Sequence, residues 1–408
     1  MNAPADRSPI GHPPSDRPPA ARRRAARLGG LGETVFARYS TLAARSGGIN
    51  LGQGFPDEDG PAEVLEAARA AVAAGHNQCA PGIGIPPLRA AVARHQQRHH
   101  GIELDPDSQV VVTTGATEGV AAALLALVDP GDEVLVLEPS YDTYDAMIAL
   151  AGGVRRGVPL RAPDFRLDPD ELAGAVTLRT RVLVLNTPHN PTGRVLDAAE
   201  LAAVAEVAVR HDLVVVSDEV YEHLTFDGLR HLPIATLPGM AGRTLTLSSL
   251  GKSWSLTGWK VGWVTGPSEL VRTVLMAKQW LTYTSGTPFQ HAAVVALEQC
   301  DGFPRELAGS LEARRDLLVD GLLRLDVPTS RPEGTYFAVS DVSSLGWEDA
   351  EAFCTALPER AGVVAIPLQG FFTTDPGAGR HLVRWAFCKR HEVLVDALDR
   401  LGAADLTA

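Results

Sequence analysis

The sequence predicts an α/β protein built on a mostly parallel sheet, and three observations carry that prediction. Apolar runs of strand length alternate with longer helix-like segments between Gln109 and Tyr221. The runs are continuously apolar rather than alternating, as in strands covered on both faces. Each run also ends in polar or special residues: "TTGAT", "EPSY", "NTPHNPTG", "SDEVY" and, further on, "SSLGK". Strands alternating with helices fold with right-handed crossovers. Ligands then collect outside the carboxyl ends of the strands. Five polar strand ends in succession therefore suggest one shared pocket.

Taken in order, "QVVVTTG" reads as a strand and "ATEGVAAALLALV" as the helix that opens directly after it. "DEVLVLEPS" is a strand, and "YDTYDAMIALAGG" a helix that stops at its glycines. "TRVLVLNTP" is a strand, "DAAELAAVAEVAVRHD" a helix and "LVVVSDEVY" a strand. The pattern changes near Val294. Helical "FPRELAGSLEARRDLLVDGLLRL" leads to strand-like "GTYFAVSDV", a further helix, then "GVVAIPL" and "LVRWAFCK". This reads as a second, smaller α+β domain made of residues 31–60 and 295–408, beside a large domain of residues 61–294. There is no internal repeat.

The 408 residues suffice for two domains with real cores. A formal net charge of −12 argues against nucleic acid as a partner, because phosphate backbones call for concentrated Lys and Arg. Residues 1–30, rich in Pro, Ala and Arg, carry no apolar run and read as a disordered arm rather than a signal peptide. The most apolar run, "GVAAALLALV", is too short to span a bilayer. Cys79, Cys300, Cys354 and Cys388 form no CxxC pair, so a zinc ribbon is not expected. Reduced thiols in a cytoplasmic enzyme are the expectation.

The stretch "SSLGKSWSLTGWKVGW" superficially ends like a phosphate-binding P-loop. That loop needs a glycine four residues before its Gly-Lys pair, and Thr246 stands there instead. Lys252 is instead a candidate nucleophile, since lysine forms Schiff bases with aldehydes, and Lys260 and Ser248 lie close by in sequence. "TGAT" places Ala116 and Thr117 at a helix start, where backbone N–H groups attract an anion. Asp218 ends an apolar strand, where a carboxylate needs a cation or donors; a protonated ring nitrogen would serve. With the amide of Asn190 and the phenol of Tyr221 these groups make up what pyridoxal 5'-phosphate requires: an anion cradle, an acid partner for the ring nitrogen and an amine for the aldehyde.

"NTPHNPTG", "SDEVY" and "SSLGKSWSLTGWKVGW", in that order and spacing, resemble the class I/II aminotransferases of the aspartate aminotransferase fold, that is, fold type I of the pyridoxal-phosphate enzymes. "INLGQGFPD", "TTGATEGV", "LVDPGDEVLVLEPSYDTY", "EGTYF" and "LVRWAFCK" extend the likeness from Leu31 to Arg390. The pattern is most similar to the branch of kynurenine, methionine and succinyldiaminopimelate aminotransferases. The resemblance implies a large domain with a seven-stranded-type sheet, a smaller α+β domain and a homodimer with shared active sites. It implies that Lys252 forms the internal aldimine, that Asp218 pairs with the pyridine nitrogen, and that Asn190 and Tyr221 contact the ring hydroxyl. Ala116, Thr117, Ser248 and Lys260 would hold the phosphate, and Tyr141 would stack on the ring. Arg384 would bind the substrate carboxylate as a fork, with Gly54 lining the substrate side. The expected substrates are an amino acid and a 2-oxo acid. β- or γ-elimination or replacement on the same fold is the alternative chemistry, and a binding protein on a dead fold is the rival class.

One position departs from the pattern. Relatives carry "NQY" where this chain has "NQC", so Cys79 replaces a tyrosine that reaches the phosphate of the neighbouring subunit's cofactor. His95 and His99 in "HQQRHH" have the i, i+4 spacing of a metal pair. No acidic third ligand follows and the segment is very polar, so an exposed helix face is expected there and no metal site.

Overall fold

The computed structural model describes residues 25–408. Residues 25–32, with a 3-10 turn at Ala26–Leu28, belong to a first unit, and Glu33–Ala408 forms a second. Of the arm expected at residues 1–30, positions 1–24 lie outside the described residues.

The second unit is organised by a seven-stranded sheet. Its strands, in chain order, are β1 (Val110–Thr113), β2 (Glu133–Glu138), β3 (Val154–Pro159), β4 (Thr180–Asn186), β5 (Val214–Asp218), β6 (Thr244–Ser249) and β7 (Gly262–Thr265). Their spatial order is β1-β7-β6-β5-β4-β2-β3. All neighbours pair in parallel except β7, which is antiparallel to both β1 and β6. The strands are apolar on both faces because each face meets its own core. Leu135, Leu137, Leu183, Leu185 and Val215 join one hydrophobic cluster, while Val134, Val136, Val182, Val184 and Val216 join another. Successive residues thus point to opposite, equally buried sides.

The expected helices appear where the periodicity places them, at Gly115–Leu127, Asp142–Ala151 and Ala198–Arg210. Asp197 and Glu200 form a reciprocal capping box at the start of the last. The second helix ends at Gly152, whose φ of 84° lies in the left-handed region that favours glycine. Two strands escaped the sequence reading. Edge strand β3, "VRRGVP", carries two arginines and has no buried run. Strand β7 lies inside the lysine-bearing motif and runs against its neighbours.

Beyond the sheet, a three-stranded antiparallel sheet is formed by Phe337–Asp341, Ile366–Pro367 and Leu382–Ala386. The pair Ile49–Asn50 and Val363–Val364 joins the segment near the N-terminus to the C-terminal part in parallel. This pairing, together with the bond from Ala386 N to the Leu51 carbonyl, brings the segment 51–55 beside the strand that bears Arg384. No helix among the described residues is long and apolar enough to cross a membrane.

Candidate active site

The carboxyl ends of β4, β5 and β6 and the amino end of helix Gly115–Leu127 open onto one cavity of about 440 Å³. Lys252, Asp218, Tyr221, Asn190, Tyr141, Ala116, Thr117, Lys260, Arg384 and Gly54 all line it. Residues from "LGQGFPD" to "LVRWAFCK" are thereby brought to a single wall-to-wall site.

Lys252 sits in the short helix Leu250–Ser253 that follows β6. Its Nζ lies 5.7 Å from the ring centre of Tyr221 and 5.6 Å from that of Tyr336. Burial lowers its pKa to about 8, against the opposing influence of Asp218. Near neutrality a useful fraction of this amine is therefore free base, the form that attacks an aldehyde or takes a proton.

Asp218 is the last residue of β5 and is buried. Its Oδ2 accepts from the Tyr144 hydroxyl at 2.7 Å. Burial nonetheless raises its carboxyl above the usual range. With only neutral donors, the Tyr144 hydroxyl and the Val220 N–H, this buried carboxylate is short of a cation, and a protonated ring nitrogen is a cation of the right kind. Asn186, at the end of β4, braces the floor: its Nδ2 donates to the Asp218 carbonyl at 2.8 Å and its Oδ1 accepts from Asn190 N at 2.8 Å.

Arg384 is 1% exposed and held on three sides. One terminal nitrogen donates to Asn190 Oδ1 at 3.0 Å and the other to the Gly52 carbonyl at 2.7 Å. Its guanidinium carbon lies 3.9 Å from the ring centre of Phe337, with Phe36 and Phe371 further out. Its Nε is buried without a partner. Burial pulls its pKa down to about 10, so it stays a cation, though a poorly compensated one. A fixed, unneutralised guanidinium in an aromatic cage is a receptor for a carboxylate. Gly54 makes the wall possible, because a Cβ there would lie 2.6 Å from Phe337 Cζ. Its carbonyl accepts from the Tyr336 hydroxyl at 2.7 Å.

The lining also includes a helix start and a lysine, groups that suit an anion. Helix Gly115–Leu127 points its N-terminus at the site, with Gly115 at φ 72° and Lys260 in the left-handed conformation beside it. Gly262 allows this packing, since a Cβ there would come 2.8 Å from Ala116 N. The donor set fits pyridoxal phosphate: cationic and N–H groups for the phosphate, a buried carboxylate short of a cation for the ring, and an amine for the aldehyde.

One expected residue is displaced. Ser248 does not line the cavity. Its hydroxyl points to the other side of β6 and donates to Glu222 Oε1 at 2.5 Å. The alternation of a strand turns the next residue, Ser249, to the cavity, which it lines while also capping Leu250–Ser253. Tyr144, Asn186, Gln53, Phe36 and Phe337 also belong to the site and were missed. Tyr144, three residues after Tyr141 on one helix face, was the most findable of them. Cys79 lies outside the cavity and is exposed.

The expectation of an exposed face holds at His99 but is corrected at His95. His95 is fully buried, with Trp254 and Trp263 against its ring, and His223 approaches from the segment after β5. Helix Pro86–His100 is flanked by helix Thr287–Gln299 and by the tryptophans of the lysine-bearing motif, which the polar composition of the segment does not reveal.

Residues 46–398 match the family "Aminotransferase class I and II". The chain is 52% identical over 388 residues to "Probable N-succinyldiaminopimelate aminotransferase DapC" of Mycobacterium tuberculosis, covering 92% of this chain and 97% of that protein. It is 40% identical to "Methionine aminotransferase" of Escherichia coli, covering 91% and 96%. The solved N-succinyldiaminopimelate aminotransferase of Mycobacterium tuberculosis superimposes with a TM-score of 0.91 at 51% identity, covering 93% of this chain and all of that one. Thermus thermophilus aspartate aminotransferase with maleate gives 0.86 at 34% identity, covering 94% and 99%.

Proposed function

The chain belongs to the class I and II aminotransferases, and on that premise we propose that it acts on N-succinyldiaminopimelate or its 2-oxo counterpart, with Lys252 as the reacting amine. Amino-group transfer with pyridoxal phosphate is the family's chemistry, and the names of the similar proteins give no support to elimination or replacement. The observation that carries the site assignment is the buried Arg384 fork with its free Nε, sharing one cavity with Lys252 and Asp218. The substrate follows from the relative at 52% identity. Such a substrate has one free amino-acid head and one succinylated end; both ends carry carboxylates, but only at the head does a free amine stand beside the carboxylate that Arg384 would hold.

When bound, pyridoxal phosphate supplies an aldehyde for the amine and a ring that accepts electrons from the substrate Cα. The chain supplies the rest. Arg384 orients the substrate carboxylate as a planar fork, and its aromatic cage excludes water. Lys252 Nζ, buried and partly free base, would take the proton from the substrate Cα and, as its ammonium, would give it back two bonds away, beyond the nitrogen. Asp218, braced by Tyr144 and Asn186, would hold a proton on the ring nitrogen by its charge. Tyr221, Asn190 and Tyr141 would hold the ring, and Ala116, Thr117, Ser249 and Lys260 would hold the phosphate.

A cytoplasmic homodimer is the assembly we infer, with residues 31–60 and 295–408 as the smaller domain. The exposed side chains of Met276, Trp280, Leu281 and Tyr283 give a subunit contact its apolar material. Tyr283 packs beside Gly82, three residues beyond Cys79, which places Cys79 at the edge of that patch. The four free cysteines suit a reducing compartment.

The test is the ratio of kcat/KM for N-succinyldiaminopimelate, methionine and kynurenine with 2-oxoglutarate as acceptor, with products identified by mass. A preference for the succinylated substrate is expected. Preference for methionine or kynurenine would overturn the substrate and leave the aminotransferase standing. Ammonia release without transfer would overturn the reaction.

A further inference from the structure

Behind the catalytic strand end lies a second cluster that amino-group transfer does not use. Five of the chain's twelve histidines gather there: His95, His99, His100, His223 and His231. Three of them form a triangle. The ring centres of His95, His99 and His223 are 4.6, 4.9 and 4.8 Å apart, taken pairwise. Each offers one ring nitrogen, and these three atoms lie within 4.8 Å of one another. His95 and His99 share one face of helix Pro86–His100 at i, i+4, the spacing that presents two imidazoles side by side. The acidic third ligand that the local sequence fails to provide is replaced by a histidine 128 positions away.

We propose that His95, His99 and His223 bind a divalent transition ion of the zinc class, with water completing a four-coordinate shell. Imidazole nitrogen suits zinc, copper, nickel and cobalt and disfavours magnesium and calcium. Three protein nitrogens and an open fourth position are a recurrent zinc arrangement. His95 Nε2 and His223 Nε2 stand 2.8 Å apart, so one proton is shared between them. An ion takes the place of that proton, which moves to Nδ1 of the same ring so that both imidazoles bind as neutral ligands, and the two nitrogens part to about 3.3 Å, as tetrahedral geometry with bonds of about 2.0–2.1 Å requires. His99 is already oriented by a carboxylate, with Asp301 Oδ1 accepting from its Nε2 at 2.8 Å; metal-binding histidines commonly have such a partner. The His99 side chain is 25% exposed and provides the way in, while Trp254 and Trp263 close the far side. The bound ion ties helix Pro86–His100 to the segment that carries Asp218 and Tyr221.

The experiment uses untagged holoenzyme, loaded with pyridoxal phosphate and stripped of metal by a chelator, in buffer free of amino acids. Zinc is titrated by calorimetry and counted by mass spectrometry, and cobalt(II) is followed by its visible spectrum. The expected result is one zinc per chain, a higher melting temperature and a tetrahedral cobalt spectrum. His99→Ala, at a partly exposed position, removes stoichiometric binding. Asp301→Asn weakens binding by about 10–100-fold. His76→Ala, which breaks the separate stacked pair of His76 and His291, leaves binding intact. Wild-type protein that takes up no stoichiometric zinc, or His99→Ala that binds as the wild type does, overturns the site.

Discussion

The segment Asp218–His223 has two sides, and the carboxylates on them are held in opposite ways. Asp218 and Tyr221 face the cavity, where charges are left short of partners: Arg384 Nε is unpaired, and burial pushes Asp218 up and Lys252 down to about 8. Glu219, Glu222 and His223 face away, and both of these buried carboxylates have two hydrogen-bond partners, although His95 Nδ1, His231 Nδ1 and Trp263 Nε1 are left without one there. Glu222 accepts from Ser248 and from His100, and Glu219 accepts from Ser217 and His231. On that side burial alone would raise Glu222, but His100 and the neighbouring imidazoles hold it well below the usual carboxylate range. Unsatisfied groups store binding energy for a ligand, while satisfied groups hold the fold. Variants on the two sides are therefore expected to separate activity from stability.

The largest effect is expected from Lys252→Ala. Removing the amine removes both the reacting group and the proton carrier, so turnover falls by at least about 10⁴-fold, with little change in melting temperature. Borohydride reduction of the wild-type holoenzyme should label Lys252 alone; a label on another lysine would refute its role. Asp218→Ala should cost about 10²–10³-fold in kcat at saturating cofactor, because the charge that keeps the ring nitrogen protonated is gone. Near-normal turnover would move the acid role elsewhere.

Arg384→Lys keeps a cation and loses the fork. KM should rise about 10–100-fold for all amino acids alike, with kcat less affected. A variant that discriminates among side chains would show that Arg384 reads something other than the carboxylate.

The pH dependence of cofactor loading tests the depressed lysine. The free-base fraction of Lys252 grows as pH rises toward about 8 and is complete above it. The rate at which the apoprotein takes up pyridoxal phosphate should rise about tenfold per unit below pH 8 and flatten above. A rate still climbing at pH 10 would mean an ordinary lysine.

The smallest effect on catalysis is expected on the far side. Glu222→Gln leaves the cavity lining untouched but breaks the paired network, so unfolding should become easier by about 1–3 kcal/mol in denaturant melts, while kcat/KM stays within about threefold. A large loss of activity without a loss of stability would erase the contrast between the two sides.

The alternation of apolar runs and helices determined the doubly covered sheet, because a strand buried on both faces has to be apolar at every position. Polar strand ends determined where the cavity opens, and the type of each residue in the motifs determined its chemistry: an amine at 252, a carboxylate at 218, a guanidinium at 384. Three things were decided only by the tertiary structure. Strand alternation decided that Ser249, not Ser248, reaches the cavity, since neighbouring residues on a strand face opposite sides. Packing decided that a polar helix face is buried, bringing His223 against His95 and His99. Chain crossings decided which distant residues brace the site, among them Asn190 to Arg384 and Tyr336 to Gly54. Residue type and local period are written along the chain, whereas a contact between positions 194 or 282 residues apart exists only once the folded backbone brings them together.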